Sequence, residues 1–167
     1  TEISKIFRNV INTKIVAITG SCGKTTLKEL LGNVLRKISK VSISPRSYNN
    51  KFGVPLSLIN LKQSDDFGIL EAGMDKKGEI DYLTKIIKPN VGVITNINYA
   101  HAKNFKNIKQ IALAKSEIMN NIRSNGFVIL NADDKFFKFH KNIAFKKNLK
   151  VISFGIKNKK ANIKLIN

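Results

Sequence analysis

Short apolar runs and longer stretches of three-and-four apolar spacing alternate along this chain from Ile15 onward. The runs at 15–19, 41–44, 67–71, 91–96, 127–131 and 151–154 are short, rich in β-branched and aromatic residues, and predict strands. Between the first two, Leu27, Leu30, Leu31, Val34, Leu35 and Ile38 fall on one helical face, which is expected to be buried. Ile80, Leu83 and Ile87 mark a second helix, stopped by Pro89. Ile108, Ile111, Ala112, Ile118, Met119 and Ile122 predict a third, continuous helix. Residues 1–13 read as a short helix leading into the first strand, and 161–167 begin a further β-like run. The stretch of lysines and phenylalanines around His140 reads as a surface helix, and His140 is assigned no role.

Near-continuous apolar strands alternating with amphipathic helices predict an α/β fold of three layers, α/β/α, around a mostly parallel sheet. Ligands of such sheets gather beyond the carboxyl ends of the strands. Chemistry is therefore sought in the residues that follow each run.

The first run feeds Thr19-Gly20-Ser21-Cys22-Gly23-Lys24-Thr25-Thr26 and then the first amphipathic helix. A glycine-bracketed turn between strand and helix points backbone N–H groups at one spot, where the positive end of the helix favours a polyanion. Lys24 would reach the outer phosphates and the Thr25 hydroxyl would sit on Mg²⁺. The strict nucleotide-loop pattern asks for a glycine five residues before Gly23, and Ile18 stands there. The loop is a shortened variant.

Glu71 closes the third run, a position suited either to a metal-orienting acid or to an ordinary solvated strand end. Lys115 falls four residues after Ile111 and four before Met119, on the apolar face of its helix. It either snorkels to the edge or is a buried amine of lowered pKa. His101, beyond the fourth run, fits a metal ligand or a plain loop residue. Asn49 and Asn50 lie in a polar loop and suit a polar substrate or a turn. Asp133 and Asp134 follow the fifth run and fit a helix cap equally well.

Composition narrows the setting. The 167 residues suffice for one domain with a sizeable core. Cys22, the one cysteine, cannot form an internal disulfide, which points to a reducing compartment. No apolar run approaches a membrane span, residues 1–5 are not a signal peptide, and no structural-metal ligand cluster stands out. The net charge of +19 would attract any polyanion. Lysine far outnumbers arginine and is scattered through nearly every segment, so biased coding is favoured over nucleic-acid binding.

Taken together, these stretches resemble the central ATPase domain of the Mur ligases, the amide-forming enzymes of peptidoglycan precursor synthesis. The shortened loop is similar to that family's own. So are Tyr48-Asn49-Asn50-Lys51-Phe52-Gly53-Val54-Pro55, Glu71-Ala72-Gly73-Met74 with Gly78-Glu79-Ile80, Thr95-Asn96 through Ala100-His101, and Ala114-Lys115-Ser116-Glu117-Ile118, in order and spacing. Within the family the match is to the members that add D-alanyl-D-alanine. The resemblance implies a P-loop NTPase-like central domain over 14–167, truncated at its C-terminal end, with 1–13 leading in from an N-terminal substrate domain. It implies that Gly20, Ser21, Cys22, Gly23, Lys24, Thr25 and Thr26 bind ATP. Thr25 and Glu71 would hold one Mg²⁺, with His101 and a carbamate on Lys115 at a second. Lys24, Lys115 and His101 would be catalytic, and Asn49 and Asn50 would face the nucleotide-peptide substrate.

The complete enzyme would join D-Ala-D-Ala to UDP-MurNAc-tripeptide through an acyl phosphate. It would act as a monomer in the bacterial cytoplasm, without nucleic acid or membrane insertion. An N-terminal domain for the UDP end and a C-terminal domain for dipeptide placement would lie outside these residues, leaving them little ligation of their own. The chain departs from the family pattern at Asp75-Lys76-Lys77, where Asn-His-Pro is frequent, and at Ala102-Lys103, where Leu-Glu is usual. Another Mur-type amino-acid ligase, or a nucleotide-binding module without ligase activity, are the competing readings.

Overall fold

The computed structural model describes residues 1–99 and 104–164. Its strands are β1 (Lys14–Thr19), β2 (Val41–Ile43), β3 (Phe67–Glu71), β4 (Val91–Ile94), β5 (Phe127–Asn131), β6 (Lys150–Gly155) and β7 (Ile163–Lys164). Its helices are α1 (Glu2–Val10), α2 (Lys24–Leu35), α3 (Gly53–Ile59), α4 (Glu79–Ile87), α5 (Ile108–Ser116) and α6 (Phe137–Lys146). The strands form one seven-stranded sheet in the order β2-β3-β1-β4-β5-β6-β7, parallel throughout. The first run of the sequence thus becomes an inner strand, with Ile18 level with Glu71 on one side and Val93 on the other.

Handedness explains how the helices divide. After β1 the chain steps back to the sheet edge at β2, and later connections step the opposite way. Right-handed crossovers then put α2 on one face and α3 to α6 on the other. The larger core gathers Ile15, Ala17, Leu70, Ile94 and Leu130 under Val54, Ile80 and Ile111. The smaller holds Val16, Ile18, Ile69 and Val93 beneath Leu27, Leu31 and Leu35 of α2.

Several expectations are corrected. Leu30, Val34 and Ile38 do not join a buried face but stand 59%, 61% and 79% exposed. The face of α2 that meets the sheet centres on Lys28 and Gly32, because the helix crosses β2 closely. A Cβ at Gly32 would lie 2.8 Å from Ile43 Cγ2. The third helix is not continuous: α5 ends at Ser116 and tightens into a 3-10 turn, Glu117–Asn121. That turn carries the Glu117 carboxylate under the start of α4, where it accepts from Gly78 N and Asp81 N. Burial raises the Glu117 pKa against those N–H groups. His140 is buried, not on the surface, and its Nε2–H donates to the Ala112 carbonyl at 3.0 Å. β4 stops at Ile94 because Thr95 and Asn96 turn toward the loop after β1.

Helix α1 reverses the usual burial. Arg8 is fully buried and donates to the Ile87 and Lys88 carbonyls and to Asn90 Oδ1, closing off the C-terminal end of α4. Burial pushes the Arg8 guanidinium down to about 10. Among the described residues no helix is long and apolar enough to cross a membrane.

Candidate active site

The glycine-bracketed turn sits where β1 leaves the sheet, and each of its glycines has a geometric reason. Gly20 has φ +148°, and a Cβ there would fall 1.8 Å from Thr95 Oγ1. Gly23 has φ +77° and caps the start of α2. The end of β4 braces the turn from the neighbouring strand. Thr95 Oγ1 and Asn96 Nδ2 donate to the Cys22 carbonyl at 2.7 and 3.1 Å. Cys22 N donates to Asn96 Oδ1, Ser21 N to the Asn96 carbonyl, and Ser21 Oγ to the Asn98 carbonyl. Asp134 holds the brace in place by accepting from Ile97 N at 2.8 Å. Thr25 and Thr26 occupy the first turn of α2. Such a turn at a helix start takes phosphate oxygens.

Lys24 folds back over this turn and donates to the Gly20 carbonyl at 2.9 Å. Lys115 donates to the same oxygen from α5, at 3.0 Å, and is only 2% exposed. Its expected place on the apolar face of its helix is borne out, since Ile111, Ala112 and Ala114 are buried around it. Burial, and then the Lys24 charge, push the Lys115 ammonium down to about 7.

Glu71, at the tip of β3, is fully buried. Its Oε2 accepts from Asn49 Nδ2 at 3.3 Å, while its Oε1 has no hydrogen-bond partner and lies 3.6 Å from Lys28 Nζ. Asn49 is seated closely: Gly73 N donates to its carbonyl at 2.7 Å, and a Cβ at Gly73 would come 2.8 Å from its side chain. Asn50 Oδ1 accepts from Phe52 N and Gly53 N at the start of α3. The sequence reading passed over Lys28, which is fully buried four residues after Lys24. The available signal was a lysine between Leu27 and Leu31 on the same helical face as Lys24.

A cleft of about 710 Å³ opens beside these groups, lined among others by Lys24, Asn49, Asn50, Gly73, Lys76 and Lys77. Lys24, at the end of the phosphate turn, therefore shares one space with the predicted substrate residues Asn49 and Asn50. Asp133 lies apart from it, bound to the N–H groups of Ile156, Lys157 and Asn158. His101 and Lys103 lie outside the described residues. Among the described residues no three or more His, Cys, Asp or Glu side chains group as a metal site. The orphaned Oε1 of buried Glu71 and the hydroxyl of Thr25 fit Mg²⁺, which takes few protein ligands and completes its shell with water and phosphate.

Comparison with known proteins bears on this arrangement directly. The profile described as "Mur ligase middle domain" matches residues 18–167. The chain belongs to the Mur ligase family. Among its Mur ligase relatives, the UDP-N-acetylmuramoyl-tripeptide–D-alanyl-D-alanine ligase of Buchnera aphidicola from Acyrthosiphon pisum is 40% identical over 160 residues, covering 95% of this chain and 34% of the relative. The enzyme of the same name from Escherichia coli is 32% identical over 133 residues, covering 80% and 29%. A crystal structure of MurF from Acinetobacter baumannii superposes with a TM-score of 0.88 at 36% identity, over 92% of this chain and 34% of that one. MurF from Thermotoga maritima in complex with ADP gives 0.82 at 27% identity, over 94% and 36%. The chain thus spans about a third of the length of the curated relatives it matches. The parallel α/β fold expected from the sequence is that of these Mur ligase domains.

Proposed function

We propose that this chain is the ATP-binding part of a ligase that joins D-Ala-D-Ala to UDP-MurNAc-tripeptide in peptidoglycan precursor synthesis. The observation that carries the proposal is the adjacency of the phosphate turn and the cleft, with Lys24 belonging to both. Residues 14–167 form the central domain and 1–13 lead in from an N-terminal substrate domain, with a C-terminal domain completing the site. The similarity to relatives some three times longer supports that division. The enzyme works as a monomer in the bacterial cytoplasm.

In this reading the turn from Gly20 to Thr26 cradles the ATP phosphates and Lys24 swings from the Gly20 carbonyl to the outermost one. Asn49 and Asn50 orient the acceptor peptide. One of its terminal carboxylate oxygens attacks the γ-phosphorus, and ADP departs as the P–O bond breaks. The dipeptide amine then attacks the acyl phosphate, loses a proton, and inorganic phosphate leaves. Lys24 offsets charge spreading over the transferred group. Mg²⁺, held by Thr25 and Glu71, would supply further charge neutralisation. The Lys115 amine, with its pKa pushed down to about 7, has a sizeable neutral fraction suited to react with CO₂, giving a carbamate that would serve a second Mg²⁺ together with His101.

The test is phosphate release in the full-length enzyme with each UDP-MurNAc-peptide acceptor. Release should require the tripeptide and D-Ala-D-Ala, and Lys24→Ala should abolish acyl phosphate formation. Preference for another acceptor and amino acid would move the enzyme to a sister activity. Nucleotide binding without acceptor-dependent release would leave only a binding module.

A further inference from the structure

Lys28 is a buried charge that the proposed mechanism does not use. Its ammonium is fully buried, and a buried cation is costly unless nearly every donor is matched. It donates to the Ser44 carbonyl at 2.6 Å and to the Arg46 carbonyl, and it lies 3.6 Å from Glu71 Oε1 and 3.3 Å from Glu29 Oε1. Arg46 has φ +41°, a left-handed conformation that a non-glycine residue adopts only when held. The loop so held continues to Asn49, which binds the other Glu71 oxygen. A closed circuit results: from α2 through Lys28 to Ser44 and Arg46, along the loop to Asn49, across to Glu71, and back to Lys28.

We infer that Lys28 is a positioning residue that fixes the Glu71 carboxylate and the acceptor-side loop as one unit on the phosphate helix, so that metal and acceptor binding rise and fall together. The inference rests on the metal role of Glu71 given above. A rigid ammonium between two carbonyls and Oε1 limits where that oxygen can turn. The same ammonium sets where Asn49 stands in the cleft. Lys24, four residues earlier on the same helix, is joined to neither.

The test uses the full-length enzyme with Lys28→Arg, Lys28→Gln and Asn49→Ala. Mn²⁺ binding to the ADP complex is followed by electron paramagnetic resonance, alongside acceptor KM and ADP affinity without divalent ion. Lys28→Arg keeps the charge but replaces a point donor with a planar fork. We expect Mn²⁺ affinity to fall tenfold or more and acceptor KM to rise by a similar factor in both Lys28 variants. Metal-free ADP affinity should stay within twofold. Asn49→Ala, which breaks the circuit at its far side, should shift the same two constants together, and it carries the test if the Lys28 variants do not fold. Unchanged Mn²⁺ affinity, or a parallel loss that includes metal-free ADP affinity, overturns the inference. A wild-type ADP complex that binds no Mn²⁺ would instead defeat the metal reading of Glu71.

Discussion

Lys24 and Lys115 donate to the same oxygen, the Gly20 carbonyl, at 2.9 and 3.0 Å. Two ammonium groups on one acceptor repel, and this adds to burial in pushing the Lys115 pKa down. In the proposed mechanism Lys24 thereby helps to prepare the Lys115 amine for CO₂. A Lys24 that turned to a phosphate, as proposed, would change that arrangement.

Stability should record the cost of Lys115. Its folded pKa of about 7 lies below the ordinary 10.5, so the unfolded chain binds the extra proton between those values. The penalty is fully present below pH 7 and is relieved as pH rises toward 10.5. Lys115→Met should therefore stabilise the domain by roughly 1–3 kcal/mol at pH 6 and by less at pH 9, while ligation is lost. Urea unfolding at the two pH values measures this. A variant less stable than wild type at pH 6 would contradict it.

Gly20→Ala should disable the phosphate turn through Thr95. The new Cβ would overlap Thr95 Oγ1, so the single variant should lose about 2–4 kcal/mol and its nucleotide affinity. Adding Thr95→Ala should restore part of both, not all, because the positive φ remains unfavourable. A double-mutant cycle in thermal melts and nucleotide titration measures the coupling. Additive effects would refute the contact.

Arg8 should matter to stability and not to chemistry. Arg8→Met leaves the Ile87 and Lys88 carbonyls at the end of α4 without their donor and should cost about 2–4 kcal/mol in urea unfolding. Arg8→Lys should recover little, since one ammonium cannot reproduce the guanidinium fork. Full stability in either variant would count against the capping role.

Cys22 is exposed on the phosphate turn. Alkylating its thiol should block nucleotide binding, and prior addition of ADP should slow the alkylation. Isothermal titration before and after modification reads the effect. Unchanged affinity would show that the phosphates pass elsewhere.

Strand positions, the phosphate turn and the inward face of Lys115 were legible in the sequence because each depends on local spacing. What was not legible depends on how closely elements approach. The buried face of α2 shifted from Leu30 and Val34 to Lys28 and Gly32 because glycine lets the helix press on Ile43. Six apolar residues at helical spacing pointed to a face that excludes the lysine at the centre of contact. His140 read as exposed from its lysine neighbours, yet the Ala112 carbonyl draws it inward. Helical spacing from Ile108 to Ile122 could not reveal the break at Ser116, since the 3-10 turn exists to deliver Glu117 to another helix.

The bracing of the phosphate turn also sets an order of assembly. Ser21 and Cys22 are held by Thr95 and Asn96, more than seventy residues later in the chain. β1 itself gains its two neighbours only with β3 and β4. During synthesis the motif therefore waits, unbraced, until the seventy-odd residues that follow it, through Asn96, have left the ribosome. A nascent chain stopped before β4 has the whole phosphate motif and no fixed place to put a phosphate.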